Sequence, residues 1–428
     1  MLIRFSVANY RSFRDVVELD MRATSLKEHR NTHIARVTAG KKSYELLRSA
    51  VIYGPNASGK SNFIMAMAVV RRLVLDSATR FQADEPLPIQ SFKLDPKTRQ
   101  APSTFEVVFL HNDRRYRYGF RVSRERVHEE WLYHARQRES LLFHREEDTF
   151  YLSSRLGNAA RLREHTRPNA LFLSVMAQFN HPLGVSLRKW FRESWRILWG
   201  SRVESFLVFT LQRLRDPDFR RRIQPLVRFA DMGIDELLTQ QVPIEEALAE
   251  LPPRVREALH KTLQREGLGD EGNRFVFRIQ TRHGETVFDF HEESAGTQKF
   301  IALLGPLLHV LDHGCVLAVD EMEAHLHPFL TRTLISLFHS PKANPNHAQL
   351  IFTTHDLTLL DEDLFRRDQI WFMERTSDGA TDLYSLADIH ERPDVSLFKR
   401  YREGRYGAVP YTLDALLAHL EQEMSHAP

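Results

Sequence analysis

The chain has 428 residues, of which 42% are hydrophobic and 27% are charged, and its formal net charge is +3. These values fit a globular protein of two or three domains, and the small net charge does not by itself demand a nucleic-acid partner. Cys315 is the single cysteine, which excludes a disulfide framework. No apolar run approaches the ~20 residues of a membrane span, and no leader segment is visible. We therefore expect a cytoplasmic protein without membrane contact.

A phosphate-binding loop is predicted at residues 54–61, where the sequence matches Gly-x-x-x-x-Gly-Lys-[Ser/Thr] at every position. An apolar run precedes the loop and a helix-prone run follows it. Strand, glycine-rich turn and helix together direct backbone N–H groups at a phosphate. We expect Lys60 to reach the β- and γ-phosphates of ATP and Ser61 to ligate Mg²⁺. The nucleotide-binding candidates are Gly54, Pro55, Asn56, Ala57, Ser58, Gly59, Lys60, Ser61 and Asn62.

Antiparallel β structure is predicted after the loop. Residues 104–109 and 115–122 flank a turn, and two further strands are expected near 130–135 and 149–152. The arginines in this region could bind nucleic acid, although the solvated face of a half-buried sheet is the favoured interpretation. These arginines are Arg114, Arg115, Arg117 and Arg121.

Helices are predicted over residues 187–199, 203–214 and 218–229, which carry apolar residues at helical spacing. Arginines alternate there with Trp190, Trp195 and Trp199. Such a pattern can bind nucleic acid, or it can form amphipathic helices with their indoles in the core. A turn at 231–234, a short helical segment up to about residue 267 and a loop at 268–273 are expected next. A hairpin over 274–281 and 286–290 would follow.

A second strand ends in an acidic pair. The apolar run 315–319 is typical of a strand buried on both faces, and Asp320 and Glu321 follow it. This is the Walker B pattern, in which Asp320 would hold Mg²⁺ and Glu321 would act as general base for the attacking water. The alternative is a strand that ends in solvated acids, and the upstream phosphate loop makes it less favoured.

Two further motifs create a resemblance to ABC-type ATPases. Residues 293–299 resemble the family's signature motif before a long apolar helix, and residues 349–355 resemble the strand that ends in the switch histidine. The resemblance implies catalytic roles for Lys60, Glu321 and His355. It also implies that the signature of one chain contacts ATP held by the phosphate loop of another. The signature candidates are Ser294, Gly296 and Gln298, and Gln90 is only a weak candidate for the Q-loop glutamine.

Three stretches narrow the resemblance to the OLD-like (overcoming-lysogeny-defect) group, whose relatives include SMC and DNA-repair ATPases. They are residues 2–13, the extended D-loop 321–328 and residues 401–410. A dedicated metal site at His325 and His327 is less favoured than the D-loop, because no third ligand at metal-binding spacing stands out.

The expected fold class is α/β, a P-loop NTPase of the ABC/SMC-head type with an antiparallel β lobe and a compact helical insertion. No apolar heptad is sustained between the phosphate loop and the signature, so the insertion is not a coiled coil. The predicted domains are an N-terminal ATPase lobe at 1–180, the helical insertion at 181–270 and a C-terminal ATPase lobe at 271–428.

The resemblance implies an ATP-driven switch that works as a homodimer or higher homo-oligomer in bacterial anti-phage defence. Roughly 70 residues follow His355, and they show no Toprim nuclease pattern, so a separate nuclease or toxin would be the effector. An SMC-like DNA-repair or DNA-maintenance ATPase acting directly on DNA stays open, with nucleic acid as a partner. A transporter ATPase subunit is the weakest alternative.

Overall fold

The computed structural model describes residues 1–198, 203–214, 216–230, 232–243, 256, 275–389 and 396–409. The chain divides into two compact units. The first comprises residues 1–200, 310–324 and 331–428, and the second comprises 201–309 and 325–330. Trp199, the predicted helical segment before residue 267 and the predicted loop at 268–273 lie outside the described residues. Among the helices that are described, none is long and apolar enough to cross a membrane.

Most of the secondary-structure elements in the described residues are β-strands. The strands are β1 (Leu2–Ala8), β2 (Val17–Asp20), β3 (Ile34–Ala39), β4 (Lys42–Leu47), β5 (Ser49–Tyr53), β6 (Ser103–His111), β7 (Arg114–Val122), β8 (Val127–Ala135), β9 (Glu139–Glu146), β10 (Thr149–Leu152), β11 (Trp195–Leu198), β12 (Glu236–Pro243), β13 (Phe275–His283), β14 (Thr286–Asp289), β15 (Val316–Val319), β16 (Gln349–Thr353), β17 (Ile370–Arg375) and β18 (Thr381–Ser385). The α-helices are α1 (Lys60–Asp76), α2 (Phe172–Gln178), α3 (Pro182–Glu193), α4 (Val203–Arg213), α5 (Pro217–Phe229), α6 (Ala295–His313), α7 (Pro328–His339) and α8 (Leu397–Arg402).

Two large sheets form the first unit. One is antiparallel, with the strand order β10-β9-β8-β7-β6-β1-β2. The other has the order β11-β15-β16-β5-β17-β18 and is parallel except for the β17–β18 pair. Strands β5, β15 and β16 are buried along their whole length, as expected for parallel strands covered on both faces. The predicted α/β fold class with an antiparallel β lobe is confirmed.

One hydrophobic core joins the two sheets of the first unit. Helix α1 contributes Phe63, whose ring meets Phe5 of β1 edge-to-face at 5.3 Å between centroids. Phe5 also meets Trp195 of β11 at 6.0 Å. Because aromatic side chains bury large apolar areas, this cluster fixes α1 between its neighbours and sets where the helix begins.

The second unit contains a three-stranded antiparallel sheet with the order β12-β13-β14. Strands β13 and β14 confirm the predicted hairpin, whereas β12 was not foreseen. Helix α4 contacts α6 through Thr210, whose hydroxyl donates to the carbonyl of Ala302 at 2.7 Å and accepts from the N–H of Gly305 at 3.1 Å.

The helix predicted over residues 187–199 is wrong in its second half. Helix α3 ends at Glu193, and β11 then pairs in parallel with β15 in the register Trp195↔Val316. The reason is tertiary: β15 offers a free edge, and its Val316 N–H donates to the carbonyl of Ser194 at 2.8 Å. The Trp195 ring stacks on Phe191 at an interplanar angle of 21° and is fully buried. Sheet pairing therefore overrides local helical periodicity here.

Gln349 ties β16 to the N-terminal strand and offers a test of the fold. Its fully buried amide accepts from the N–H of Leu2 at 2.7 Å and donates to the carbonyls of Leu2 and Leu47, both at 3.0 Å. We expect Gln349→Leu to lower the free energy of unfolding by about 2–4 kcal/mol, since it leaves buried backbone groups unpaired. The exposed control Gln178→Leu should change it by less than about 0.5 kcal/mol in urea denaturation. Equal effects of the two variants would contradict this bridging function of the amide.

Candidate functional site

The phosphate loop connects β5 to α1 at the centre of the parallel sheet. Gly59 is the N-cap residue of α1 and has φ 110°, which an L side chain rarely adopts. No side chain caps this helix, and its first turn contains no acidic residue. The backbone N–H groups and the positive end of the helix dipole are therefore available to an anion.

Lys60 is buried at the start of α1, with 5% of its surface exposed. Its Nζ donates to the carbonyls of Gly54 at 2.7 Å and Pro55 at 3.0 Å. Burial lowers the pKa of Lys60 to about 8, against the opposing influence of nearby carboxylates. The loop thus holds a poorly solvated cation, whose stabilisation by a bound anion would be large. The carboxylates are Asp320, Glu321 and Glu323.

Side chains from both ends of the sequence brace the phosphate loop. Thr381 donates through its hydroxyl to the carbonyl of Ser58 at 2.8 Å, and its N–H donates to the carbonyl of Ser12 at 2.8 Å. The Asn62 amide donates to the Ser12 hydroxyl at 2.9 Å. A Cβ placed at Gly59 would lie 2.5 Å from the Thr381 hydroxyl oxygen. Ser12 lies in the family-like stretch 2–13, but the sequence indicated no contact of Ser12 or Thr381 with the phosphate loop.

The carboxyl ends of β5, β16 and β15, which are adjacent parallel strands, meet at one edge of the sheet. The Thr353 hydroxyl donates to Asp320 Oδ1 at 2.7 Å and accepts from the Glu321 N–H at 2.8 Å. Glu321 has φ 49°. A fully buried threonine at the end of β16 therefore orients both acids of the Walker B pair. In the sequence, Thr353 could have been recognised as a hydroxyl residue at the end of an apolar strand.

His355 lies beside this edge. Its backbone N–H donates to Glu323 Oε1 at 2.6 Å, so the D-loop acid fixes the turn that follows β16. Burial and the positive charge of Lys60 lower the pKa of His355, while Glu323 and the Walker B acids oppose the shift. The imidazole and Lys60 are thus within electrostatic range of the same carboxylates. The first unit brings together the predicted Lys60, Asp320, Glu321 and His355.

The predicted signature residues lie in the second unit. Ser294 precedes α6, and its hydroxyl accepts from the N–H of Thr297 at 3.2 Å, as an N-cap does. Gln298 instead bonds back to its own segment, donating to the carbonyl of Glu293 at 2.8 Å. A Cβ placed at Gly296 would lie 2.5 Å from the carbonyl oxygen of His325, so only glycine permits this close approach. The signature turn and the D-loop are in backbone contact.

His327 contacts its own segment. Its Nδ1 accepts from the Phe329 N–H at 3.3 Å, and the two rings stack at 5.5 Å. Across the described part of the chain, no group of three or more His, Cys, Asp or Glu side chains is arranged to hold a metal ion.

The two basic regions singled out in the sequence differ in their contacts. On the sheet, Arg115 and Arg117 pair with Glu139 at 2.8 and 2.7 Å, and Arg121 pairs with Glu129 at 3.4 Å. Trp190 and Trp195 are buried, so neither indole is available to stack on a base. These contacts favour the sheet-face and core interpretations over nucleic-acid binding.

The donor set at the strand edge fits a nucleoside triphosphate with Mg²⁺. The backbone N–H groups of the loop and Lys60 Nζ suit phosphate oxygens, and Ser58 Oγ is buried without a hydrogen-bond partner among the described residues. The Ser61 hydroxyl and the Asp320 carboxylate are hard oxygen ligands of the kind that Mg²⁺ prefers.

The Q-loop candidate Gln90 is exposed, and its backbone carbonyl accepts a hydrogen bond from the Arg11 N–H at 2.7 Å.

Residues 49–361 match the sequence profile of a family described as "AAA domain, putative AbiEii toxin, Type IV TA system". The chain belongs to this AAA-domain family. The match runs from the first residue of β5 to beyond His355, so it includes the phosphate loop, the signature candidates, the acidic pair and the histidine, but not the stretches 2–13 and 401–410. No curated protein matches the chain in a sequence comparison.

A comparison with solved structures found low similarity to two Smc heads. One, an Smc head bound to the C-winged helix domain of ScpA, has 13% identity and a TM-score of 0.45, covering 94% of this chain and 99% of that chain. The other is an Smc head with an extended coiled coil bound to the C-terminal domain of ScpA, derived from Pyrococcus furiosus. It has 12% identity and a TM-score of 0.40, covering 95% of this chain and 98% of that chain.

The lowered pKa of Lys60 predicts that the charged form of this residue lowers the free energy of unfolding of the nucleotide-free protein. Below pH 8 the ammonium group of Lys60 is desolvated in the folded state and solvated in the unfolded state, so it lowers stability. Between pH 8 and 10.5 the folded state is already deprotonated while the unfolded state is still charged, so this destabilisation becomes smaller as the pH rises. We expect Lys60→Met to raise the free energy of unfolding by about 1–3 kcal/mol at pH 7, with a smaller gain at pH 9.5. Urea denaturation at the two pH values measures this.

The matched control is Lys97→Met, at an exposed lysine on a loop. This substitution should leave the free energy of unfolding within about 0.5 kcal/mol of the original at both pH values. A Lys60→Met variant that is less stable than the original protein at pH 7 would contradict the buried-cation interpretation.

Proposed function

We propose that the chain binds and hydrolyses ATP with Mg²⁺ and works as a dimer switch. The observation that carries this proposal is the convergence of three strand ends at one edge of the sheet. They bring a buried lysine at a helix N-terminus, a braced acidic pair and a histidine within electrostatic range of one another. This is the set of groups that phosphoryl transfer to water requires.

Each residue at the edge has a proposed function. Lys60 and the loop N–H groups would hold the phosphates, while Ser61 and Asp320 would hold the metal. Glu321 accepts the proton of the attacking water, and Thr353 keeps its backbone in place. His355 would hydrogen-bond the transferred phosphoryl group, as the family resemblance implies. Mg²⁺, when bound, neutralises charge on the phosphate oxygens.

The dimer follows from the single signature of the chain. ATP brings about four negative charges, and the N–H groups behind Ser294, at the start of α6, form a second anion-binding helix end. Two chains in head-to-tail apposition would place the signature of each against the phosphate loop of the other, giving two composite sites. Removal of the γ-phosphate would then loosen the pair.

We infer that the switch serves as the sensor or regulatory ATPase of a bacterial anti-phage system, with a separate nuclease or toxin as effector. The OLD-like motifs support this, and so does a family description that names a toxin–antitoxin system. The alternative is an SMC-like ATPase that repairs or maintains DNA. Purification of the tagged chain from its native host separates the two: a nuclease or toxin in stoichiometric complex supports the first. ATPase activity that rises several-fold with DNA, with no such partner, supports the second.

Glu321→Gln should retain ATP binding while lowering kcat by at least about 100-fold, because an amide fills the same space but cannot accept the proton. The trapped ATP-bound dimer should be visible by light scattering. The exposed control Glu164→Gln should hydrolyse ATP at the original rate. Unchanged turnover in Glu321→Gln would exclude this residue as the base.

Composite sites predict complementation between two inactive variants. Lys60→Ala removes the phosphate-loop cation, and Ser294→Arg places a bulky cation where the signature must meet the γ-phosphate. Mixing the two variants forms one intact site per heterodimer, so part of the ATPase activity should return. Steady-state hydrolysis before and after mixing measures it. Full activity of Ser294→Arg alone would exclude the signature assignment, and heterodimers without activity would argue against sites shared between chains.

A further inference from the structure

A cavity of about 800 Å³ lies at one end of the antiparallel sheet in the first unit, where β7 begins, β8 ends and β9 begins. It shares no lining residue with the phosphate loop, the Walker B pair or His355. Both basic and apolar side chains line the cavity. The basic residues are Arg114, His134, Arg136, Arg138, Arg155 and His181.

The cavity carries more positive charge than its own acids balance. Glu139 is the only acidic residue among the lining residues, and it already pairs with Arg115 and Arg117, which do not line the cavity. Arg138 and Arg155 form no ion pair with a carboxylate in the described part of the chain. Several guanidinium groups around one concave space attract a multiply charged anion.

The ring of His134 lies against two of the arginines that line the cavity. Arg114 Nη1 lies 3.0 Å from its Nδ1, and Arg155 Nη1 lies 3.0 Å from its Nε2. Burial and these two guanidinium groups lower the pKa of His134, which keeps the ring neutral. A neutral imidazole has one acceptor nitrogen, so it accepts from only one of the two arginines, and Arg155 Nη1 also has the Ser140 hydroxyl as an acceptor at 2.9 Å. An anion in the cavity would supply further acceptors to these guanidinium groups.

His181 contributes to the wall of the cavity without offering an acceptor to a ligand. Its Nε2 lies 3.0 Å from the carbonyl oxygen of Leu156, so this nitrogen carries the proton and Nδ1 is the acceptor. That Nδ1 is buried, so a ligand in the cavity does not reach it. The arginines therefore provide the polar contacts for a ligand.

We propose that the cavity binds a nucleoside phosphate, either as a free nucleotide or as the 5′-terminal nucleotide of a strand. The phosphate accepts hydrogen bonds from Arg114, Arg138 and Arg155, which line the cavity. The cavity is far larger than a phosphate ion and falls within the range of small-ligand sites, roughly 300–1,000 Å³. Leu142, Leu156 and Leu183 provide an apolar surface for the base.

The test uses the full chain carrying Lys60→Ala, so that the phosphate loop does not contribute. Calorimetry at 150 mM salt compares three probes: adenosine 5′-monophosphate, a 5′-phosphorylated DNA tetranucleotide and the same tetranucleotide without the phosphate. We expect the phosphorylated strand to bind at least about tenfold more tightly than the unphosphorylated one. If adenosine monophosphate binds at least as tightly as the phosphorylated strand, the ligand is the free nucleotide. If the phosphorylated strand binds more tightly than adenosine monophosphate, the ligand is a strand end.

Two variants connect binding to the cavity. Arg155→Gln and Arg138→Gln change exposed side chains and should keep the melting temperature while lowering the affinity at least about fivefold each. The matched control Arg80→Gln removes an 80% exposed arginine outside the cavity and should not alter binding. The proposal is overturned if no probe binds, if both tetranucleotides bind with equal affinity, or if Arg80→Gln and Arg155→Gln lose equal affinity.

Discussion

A buried ammonium group at the start of α1, just after a fully buried strand and its loop, is the constraint around which the candidate site is arranged. Lys60 is desolvated, and the carbonyls of Gly54 and Pro55 accept its hydrogen bonds. Such a cation can persist because acids on the neighbouring strand ends oppose the shift of its pKa. The placement of β15 and β16 beside β5 therefore brings acidic groups near the ammonium group as well as packing apolar strands together.

The same edge shows how a structural residue can control chemistry without touching a ligand. Thr353 joins the side chain of Asp320 to the backbone of Glu321, whose φ is positive. Glu323 fixes the backbone of His355 in a similar way. These two contacts hold the acids and the histidine on their turns, so the groups are ordered before any ligand arrives.

Sequence reasoning succeeded where the signal is local and failed where it is tertiary. The phosphate loop, the strand ahead of Asp320 and the antiparallel hairpins each carry their own pattern of turn and apolar residues, and all are present. Trp195 shows the failure, because helical spacing says nothing about the free edge of β15. Ser12 and Thr381 could not be found either, since their contacts with the loop arise only when distant strands pair.

The pairing of β5 has a consequence for how the chain folds. This strand is made early, yet both of its neighbours come roughly 300 residues later, in the registers Leu350↔Ser49 and Ile370↔Val51. Contacts of such high sequence separation are slow to form, because a long loop must close before they gain anything. A nascent chain thus exposes a finished phosphate-loop sequence without its braces. The chain would become able to bind nucleotide only late in its synthesis, once β16, β17 and Thr381 have emerged from the ribosome.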